Sequence, residues 1–473
     1  MKTTYPIYLA GEFLTTSDSM EVINPFDNSR VAGTCRAGEA ELEEAIKKAG
    51  SVRETLIDMP SADRYAILLQ IAEKMKQSRQ DIARIITLES GKPMRYALGE
   101  TDRAIQTFTI AAEESKRLPA EYIDIEWTAA GKGKEGLVRY FPVGLAAGIS
   151  PFNFPLNLAV HKLAPAIAAG CPIILKPSSS TPLSTLNLAH IINSTDLPKG
   201  AVSIMPMSRE TGNNMVTDER FALLSFTGSP AVGWKMKAEA GKKKVVLELG
   251  GNAGVIVTGS ADMDKAVAKC ITGSFAYSGQ VCIHTQRIFV QEQVFNTFTQ
   301  KFIDEVDKLR PGDPLDEQTD ISSMIDEDNA KRVEEWVDEA VTGGAKVLCG
   351  GHREKNYFPP TVLTNTRPDM KVCGLEVFGP VVTIEKYGTF DEALKEINNS
   401  RFGLQAGVFT NSIDEMNAAF RHLVVGGIII NDIPGFRVDH MPYGGVKDSG
   451  FGREGVRYSI HDMMEPRLLI KDK

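Results

Sequence analysis

From about residue 38 to 118, apolar residues recur at three-to-four spacing over 41–49, 61–77 and 80–90. That period puts one apolar face on an α-helix. Gly91-Lys92-Pro93 ends this run, and a long helix follows over about 94–117. The middle of the chain changes pattern. Short, continuously apolar runs at 144–150, 172–176, 202–205, 223–226 and 245–249 predict strands, with helices between them at about 155–169, 182–194, 210–217 and 230–241. Strand–helix alternation with wholly apolar strands predicts a parallel sheet covered on both faces, with ligands at the strand C-terminal ends. A second alternating block runs from about 255 to 432, its strands at 255–257, 287–290, 381–384, 407–409 and 428–431. The stretch 124–141 is rich in Gly and Lys with strand-like flanks and reads as a protruding hairpin; the tail 466–471 reads as a further strand. The fold class is therefore α/β, with a small β element of hairpin and tail placed to meet another subunit.

Composition narrows the function. The chain has 473 residues, 24% charged and 42% hydrophobic, ordinary globular usage that excludes disorder and a disulfide miniprotein. A chain this long splits into domains. The net charge of −8 argues against nucleic acid or an anionic membrane as the main partner. The six cysteines form no C-x-x-C pair and no zinc-type grouping, so no metal is expected, and scattered thiols suit a reducing cytoplasm. No signal peptide or membrane span is apparent.

Two G-x-G-x-x-G matches, at 131–136 and 450–455, lie outside any strand-to-helix turn and read as flexible turns rather than as pyrophosphate loops. The chemistry concentrates elsewhere. Cys282, in SGQVC (278–282), sits on a loop between a helix and a strand, open to a small electrophile or else a buried structural thiol. Glu248 ends the strand that runs into Gly250-Gly251-Asn252, where a carboxylate is costly unless used or paired. Asn153, between a strand end and the helix opened by Pro155, is a donor for a developing oxyanion or a simple helix cap.

Taken with PFNFPL (151–156), KPSSSTP (176–182), FTGSPAVG (226–233), LELGGN (247–252), GQVC (279–282), EVFGP (376–380) and PYGGVKDSGFGREG (442–455), in that order, the chain resembles the NAD(P)-dependent aldehyde dehydrogenase superfamily over nearly its whole length. The resemblance implies a Rossmann-like cofactor domain over 1–123 and 143–250, a catalytic domain over 251–445, and an oligomerisation element from 124–142 and 446–473, in a homodimer or homotetramer. It implies that Cys282 is the nucleophile, that Asn153 and the Cys282 backbone hold the oxyanion, and that Glu248 activates the water that hydrolyses a thioester. It implies cofactor contacts from Ile149, Ser150, Lys176, Ser179, Phe226, Thr227, Gly228, Ser229, Val232, Leu249, Gly250, Glu376 and Phe378. NAD-selective members often carry a glutamate where this chain has Ser179, so NADP is expected to be accepted alongside NAD. CoA-acylating members, the alternative, generally lack the glutamate matched by Glu248.

The aldehyde is less legible. His161 lies on the helix after Asn153, and Val281 and Ile283 flank the thiol. Arg103 and Arg437, the latter in FRVDH with His440, resemble anion-binding arginines of non-phosphorylating glyceraldehyde-3-phosphate dehydrogenases, although that subgroup's arginine before the cysteine is here Val281. The loop 436–445 also resembles lactaldehyde- and sulfolactaldehyde-type members. A small hydroxylated or anionic aldehyde, such as lactaldehyde, glyceraldehyde 3-phosphate or a semialdehyde, is the expectation; the competing reading pairs Arg437 with Asp439 or another carboxylate.

Overall fold

The structure, a computed structural model, describes residues 2–473. Two large sheets organise it. In the first, five parallel strands lie in the order Val202–Ile204, Ile173–Lys176, Leu145–Ile149, Phe221–Thr227, Lys244–Glu248. The antiparallel hairpin Ile7–Leu9 and Glu12–Leu14 extends one edge and Gly450–Phe451 the other. From Leu145–Ile149 the chain steps outward to one side, then returns to begin Phe221–Thr227 on the other. That reversal opens a crevice beyond Ile149 and Thr227, where open α/β sheets bind ligands. The second sheet orders Lys346–Cys349, Thr361–Thr364, Val381–Tyr387, Arg287–Gln291, Gly254–Val257, Gln405–Phe409 and Gly427–Ile430, parallel except at its first strand.

The expected strands and helices of both blocks are present within a few residues at their ends. Beyond three two-residue strands, six strands were not anticipated: four in the first 35 residues, plus Lys346–Cys349 and Thr361–Thr364. These are three to six residues long and several are half exposed, so their hydrophobic pattern is weak. Helix Asn157–Ala169 is buried along its whole length. Its all-round apolar character follows from being enclosed by helices Ser61–Gln77, Met94–Ser115 and Val456–Asp462 and by the first sheet.

Strands Ala120–Ile123 and Lys134–Pro142 form a hairpin, and the tail Met464–Asp472 pairs with its long arm over nine residues, from Met464 opposite Pro142 to Asp472 opposite Lys134. Hairpin and tail thus make one three-stranded sheet. The grouping of 446–463 with that tail is corrected: Val446–Lys447 pairs with Phe402–Gly403, Gly450–Phe451 joins the first sheet, and Val456–Asp462 packs on Asn157–Ala169. The cause is burial. Val456, Ile460 and Met463 enter the core of the first block, leaving only the polar-flanked tail to reach the hairpin. Among the described residues no helix is long and apolar enough to cross a membrane.

Candidate active site

Cys282 lies where the two blocks meet. The three residues Tyr277, Ser278 and Gly279 all have positive φ (51°, 52° and 67°). Such a run is strained for non-glycine residues and persists only when its surroundings enforce it. They do so here. The Tyr277 hydroxyl donates to the Ser90 carbonyl (3.1 Å), Ser278 to the Ser322 carbonyl (2.7 Å), and the Gln280 side-chain oxygen accepts from the Ile325 N–H (2.9 Å). At Gly279 a Cβ would strike the Gly379 carbonyl oxygen at 2.1 Å, so only glycine fits. Gln286 ties this loop to the EVFGP segment, donating to the Val372 and Leu375 carbonyls and accepting from the Val377 N–H.

Asn153 is buried, and its Nδ2 donates to the Gln280 carbonyl at 2.9 Å. One amide proton is thereby used to hold the side chain beside the nucleophile loop and the other stays available. The Cys282 N–H has no acceptor among the described residues. Glu248 is buried at the end of its strand, and neither carboxylate oxygen has a hydrogen-bond partner there. Burial, reinforced by the negative charge of Glu454, holds its carboxyl well above the usual carboxylate range. The thiol of Cys282 is pushed up to about 11 by burial, opposed by its contact with the Tyr443 hydroxyl and by the Arg437 guanidinium. That contact is short: Cys282 Sγ lies 3.2 Å from Tyr443 Oη. Val281, Ile283, Leu404, Met441 and Tyr443 form an apolar collar around the sulfur.

Beyond the collar lies a buried ion network. The Arg437 guanidinium stacks on the Tyr443 ring at 3.7 Å, and its Nη2 donates to Glu454 at 2.9 Å. Lys162, wholly buried, reaches Glu454 (3.3 Å), Thr227 Oγ1 (2.8 Å) and Ser225 Oγ (3.1 Å). Asp439 accepts from Arg103 (2.7 Å) and from His161 Nε2 (2.7 Å). Hence Arg103 is engaged by Asp439, and Arg437 is paired with a carboxylate, as the competing reading expects, though with Glu454 rather than Asp439. His440 is exposed, outside this cluster. Lys162 and the surrounding cations hold the Glu454 carboxyl down at about 2 against the upward effect of burial, so it is ionised at neutral pH.

Side chains at the strand ends of the first sheet are left without partners, as a polar ligand such as a dinucleotide would need. The Ser150 hydroxyl is buried with no partner among the described residues. The Lys176 ammonium is likewise without an acceptor, its stem lying against Gly212 in the first turn of helix Arg209–Thr217. Burial, then the nearby Arg209 and Arg36, lower its pKa. Ser179 is half exposed beside it, Val232 exposed on helix Pro230–Glu239, and Ser229 begins that helix with free N–H groups. Phe226 and Leu249 pack closely against Gly228 and Gly233. The Thr227 hydroxyl is taken up by Lys162. Glu376 accepts from the Gly251 N–H (3.0 Å), and its carboxylate fills the space a Cβ at Gly250 would need. Burial lifts Glu376 to about 7. Phe378 (φ 48°) stands edge-on to Phe152, 5.8 Å between ring centroids. Ile149 ends its strand one residue before Ser150.

The sequence does not single out Lys162, Tyr443 or Glu454, and it offers Asp439 only as a partner for Arg437. Lys162 and Glu454 carried a legible signal: charged residues inside otherwise apolar or glycine-rich stretches that the fold buries.

The aldehyde dehydrogenase family profile matches residues 13–469. The chain is 42% identical over 468 residues to 3-sulfolactaldehyde dehydrogenase of Priestia aryabhattai, covering 98% of each. Among solved structures it is similar to aldehyde dehydrogenase 21 of Physcomitrella patens in complex with the reaction product succinate, with 44% identity, a TM-score of 0.98, and coverage of 100% of this chain and 99% of that one. It is also similar to glyceraldehyde-3-phosphate dehydrogenase GapN of Methanocaldococcus jannaschii complexed with NADP, with 38% identity, a TM-score of 0.92, and coverage of 96% and 99%. The chain belongs to the aldehyde dehydrogenase family and is an NAD(P)-dependent oxidoreductase.

Proposed function

We propose that this enzyme oxidises a short anionic aldehyde to its carboxylic acid and accepts NADP. The observation that carries the substrate class is Arg437. Its side chain is 5% exposed, it stacks on the tyrosine that touches the nucleophile, and its Nε is buried with no acceptor among the described residues. A buried guanidinium donor left unpaired is costly, and a carboxylate, sulfonate or phosphate on the substrate would satisfy it. The relatives support the same chemistry: one is named for a sulfonated aldehyde, one holds a dicarboxylate product, one is named for a phosphorylated aldehyde.

In the proposed reaction the Cys282 thiolate attacks the aldehyde carbon. Asn153 Nδ2 and the Cys282 N–H donate to the resulting thiohemiacetal oxyanion. A nicotinamide dinucleotide held by residues such as Ser150, Lys176 and Glu376 would supply the redox chemistry as a hydride acceptor. A thioester remains on Cys282. Glu248 then takes a proton from a water as that water's oxygen bonds to the acyl carbon and the carbon–sulfur bond breaks, returning the thiolate. Glu248 favours water over a CoA thiol as the acceptor. Arg437→Lys keeps the cation beside Glu454 but lacks the planar fork. It is expected to raise KM for glyceraldehyde 3-phosphate by about tenfold or more while that for lactaldehyde changes little. Steady-state kinetics with the two aldehydes check this; equal changes in both Michaelis constants would remove Arg437 as the anion clamp.

NADP acceptance is supported by Ser179, which carries no negative charge, and by Lys176 and the exposed Arg209, neither of which is in an ion pair among the described residues. Ser179→Glu would set a carboxylate against a 2′-phosphate. Its ratio of NADP to NAD catalytic efficiency is expected to fall by about tenfold or more; an unchanged ratio would sink this assignment. A second copy of the chain is the proposed partner, meeting the exposed Leu468, Leu469 and Ile470 of the tail strand and Tyr122 of the hairpin.

A further inference from the structure

Tyr443 is 2% exposed, and its hydroxyl has one hydrogen-bond partner among the described residues, the sulfur of Cys282 at 3.2 Å. A buried phenol ordinarily finds a carbonyl or carboxylate. Here it is aimed at a thiol, a weak acceptor, and earns a strong bond only when that thiol is ionised. The other face of the arrangement is as specific. The Arg437 guanidinium carbon lies over the ring, 3.7 Å from its centroid, drawing electron density from the phenol and making its O–H a better donor. Arg437 is in turn fixed by Glu454, which Lys162 also holds. The charged and titratable groups that bear on the sulfur are Tyr443 and Arg437, which favour the thiolate, and Glu248 and Glu376, which oppose it. No histidine or lysine contacts the sulfur among the described residues, and His161 is engaged by Asp439. The means by which this half-buried thiol becomes a nucleophile therefore rests on few groups, and Tyr443 is the one in contact.

We propose that Tyr443 is a catalytic residue: its hydroxyl donates a hydrogen bond to the Cys282 thiolate, stabilising and aiming the nucleophile, with Arg437 stacked on the ring strengthening that donation. The tyrosine keeps its proton throughout; the proton of Cys282 leaves to water when the thiolate forms. After attack the sulfur is bonded to the substrate carbon, and the phenol bond weakens until the thioester is hydrolysed and the thiolate returns. The proposal rests on Cys282 being the nucleophile of the reading above.

The test is Tyr443→Phe, which removes one oxygen and keeps the ring, its collar and the stacked guanidinium. The rate of iodoacetamide modification of Cys282, followed on its own peptide by mass spectrometry, is measured against pH for both proteins. The midpoint is expected to rise by about one pH unit in the variant, so that modification near neutrality slows about tenfold. The acid limb of the kcat/KM profile with glyceraldehyde 3-phosphate should move by the same amount, with KM for NADP unchanged. Equal melting temperatures of the two proteins exclude misfolding as the cause. Superimposable alkylation profiles would overturn the proposal. Because alkylation needs no aldehyde, a shifted alkylation profile in a protein that oxidises no aldehyde would sustain the contact and fail the functional reading instead.

Discussion

Replacing Cys282 with serine is expected to lower kcat/KM by on the order of 10⁴-fold or more, with binding of NADP retained. The surroundings of the side chain decide this. A serine hydroxyl attacks only when an adjacent base takes its proton, and the site has none positioned for that. His161 is held by Asp439 at 2.7 Å, Lys162 by Glu454 and two hydroxyls, and Tyr443 can only donate to, or accept weakly from, the atom at position 282. Glu248 is buried without a hydrogen-bond partner among the described residues, and burial and Glu454 raise its carboxyl well above the usual carboxylate range, which disfavours its basic form. Cysteine escapes this requirement because its thiolate forms without a base in contact, and the phenol and guanidinium beside it suffice. The measurement is reduced-nicotinamide absorbance with glyceraldehyde 3-phosphate, beside fluorescence titration with NADP. Activity within tenfold of the parent would mean that another residue is the nucleophile.

The same residues show how far the sequence could be read. Strands such as Leu145–Ile149, buried at every position, announce themselves as continuous apolar runs, and the order of the blocks follows from alternation alone. The loop chemistry was legible for a different reason. Glycines, an asparagine and a carboxylate at strand ends are residues that a packed core does not explain, so Asn153, Glu248 and Cys282 stood out before any geometry was known. The ion network did not stand out. Arg103 and Asp439 are 336 residues apart, and Lys162 and Glu454 are 292 apart. No local pattern reports that the fold brings them within a salt-bridge distance. Tyr443 was quoted within a motif, yet its role depends on a hydroxyl meeting a sulfur 161 residues away. The segment 446–463 is grouped with the tail by the resemblance alone, with no local pattern behind it. Its few apolar residues, Val456, Ile460 and Met463, decide its place by burial in the first core.

Glu248→Gln is expected to separate the two halves of the reaction. The amide has nearly the same volume but cannot take a proton from water, and general-base removal costs on the order of 10² to 10⁴ in rate. Attack by Cys282 and oxyanion stabilisation by Asn153 do not use this carboxylate, so acylation should survive. Mixing the variant with NADP and glyceraldehyde 3-phosphate in a stopped-flow instrument should then give a burst of about one reduced nicotinamide per active site, followed by a steady rate lower by about that factor. Hydroxylamine, which attacks thioesters directly, should restore turnover. The pH dependence fixes the sign. Burial and the charge of Glu454, itself held at about 2 and so ionised throughout, raise the carboxyl of Glu248. Its basic form is therefore scarce at low pH and grows as pH rises through that elevated value. Deacylation in the parent should climb with pH over that range, and in the variant this climb should vanish. Stability runs the opposite way. A carboxyl whose folded pKa is raised stabilises the fold while protonated, and that contribution is lost as pH rises through the folded value. Glu248→Gln should consequently gain stability relative to the parent at alkaline pH, measured as the melting temperature. A steady rate within threefold of the parent, or the absence of a burst with an equally slow first turnover, would show that Glu248 is not the base that releases the acid.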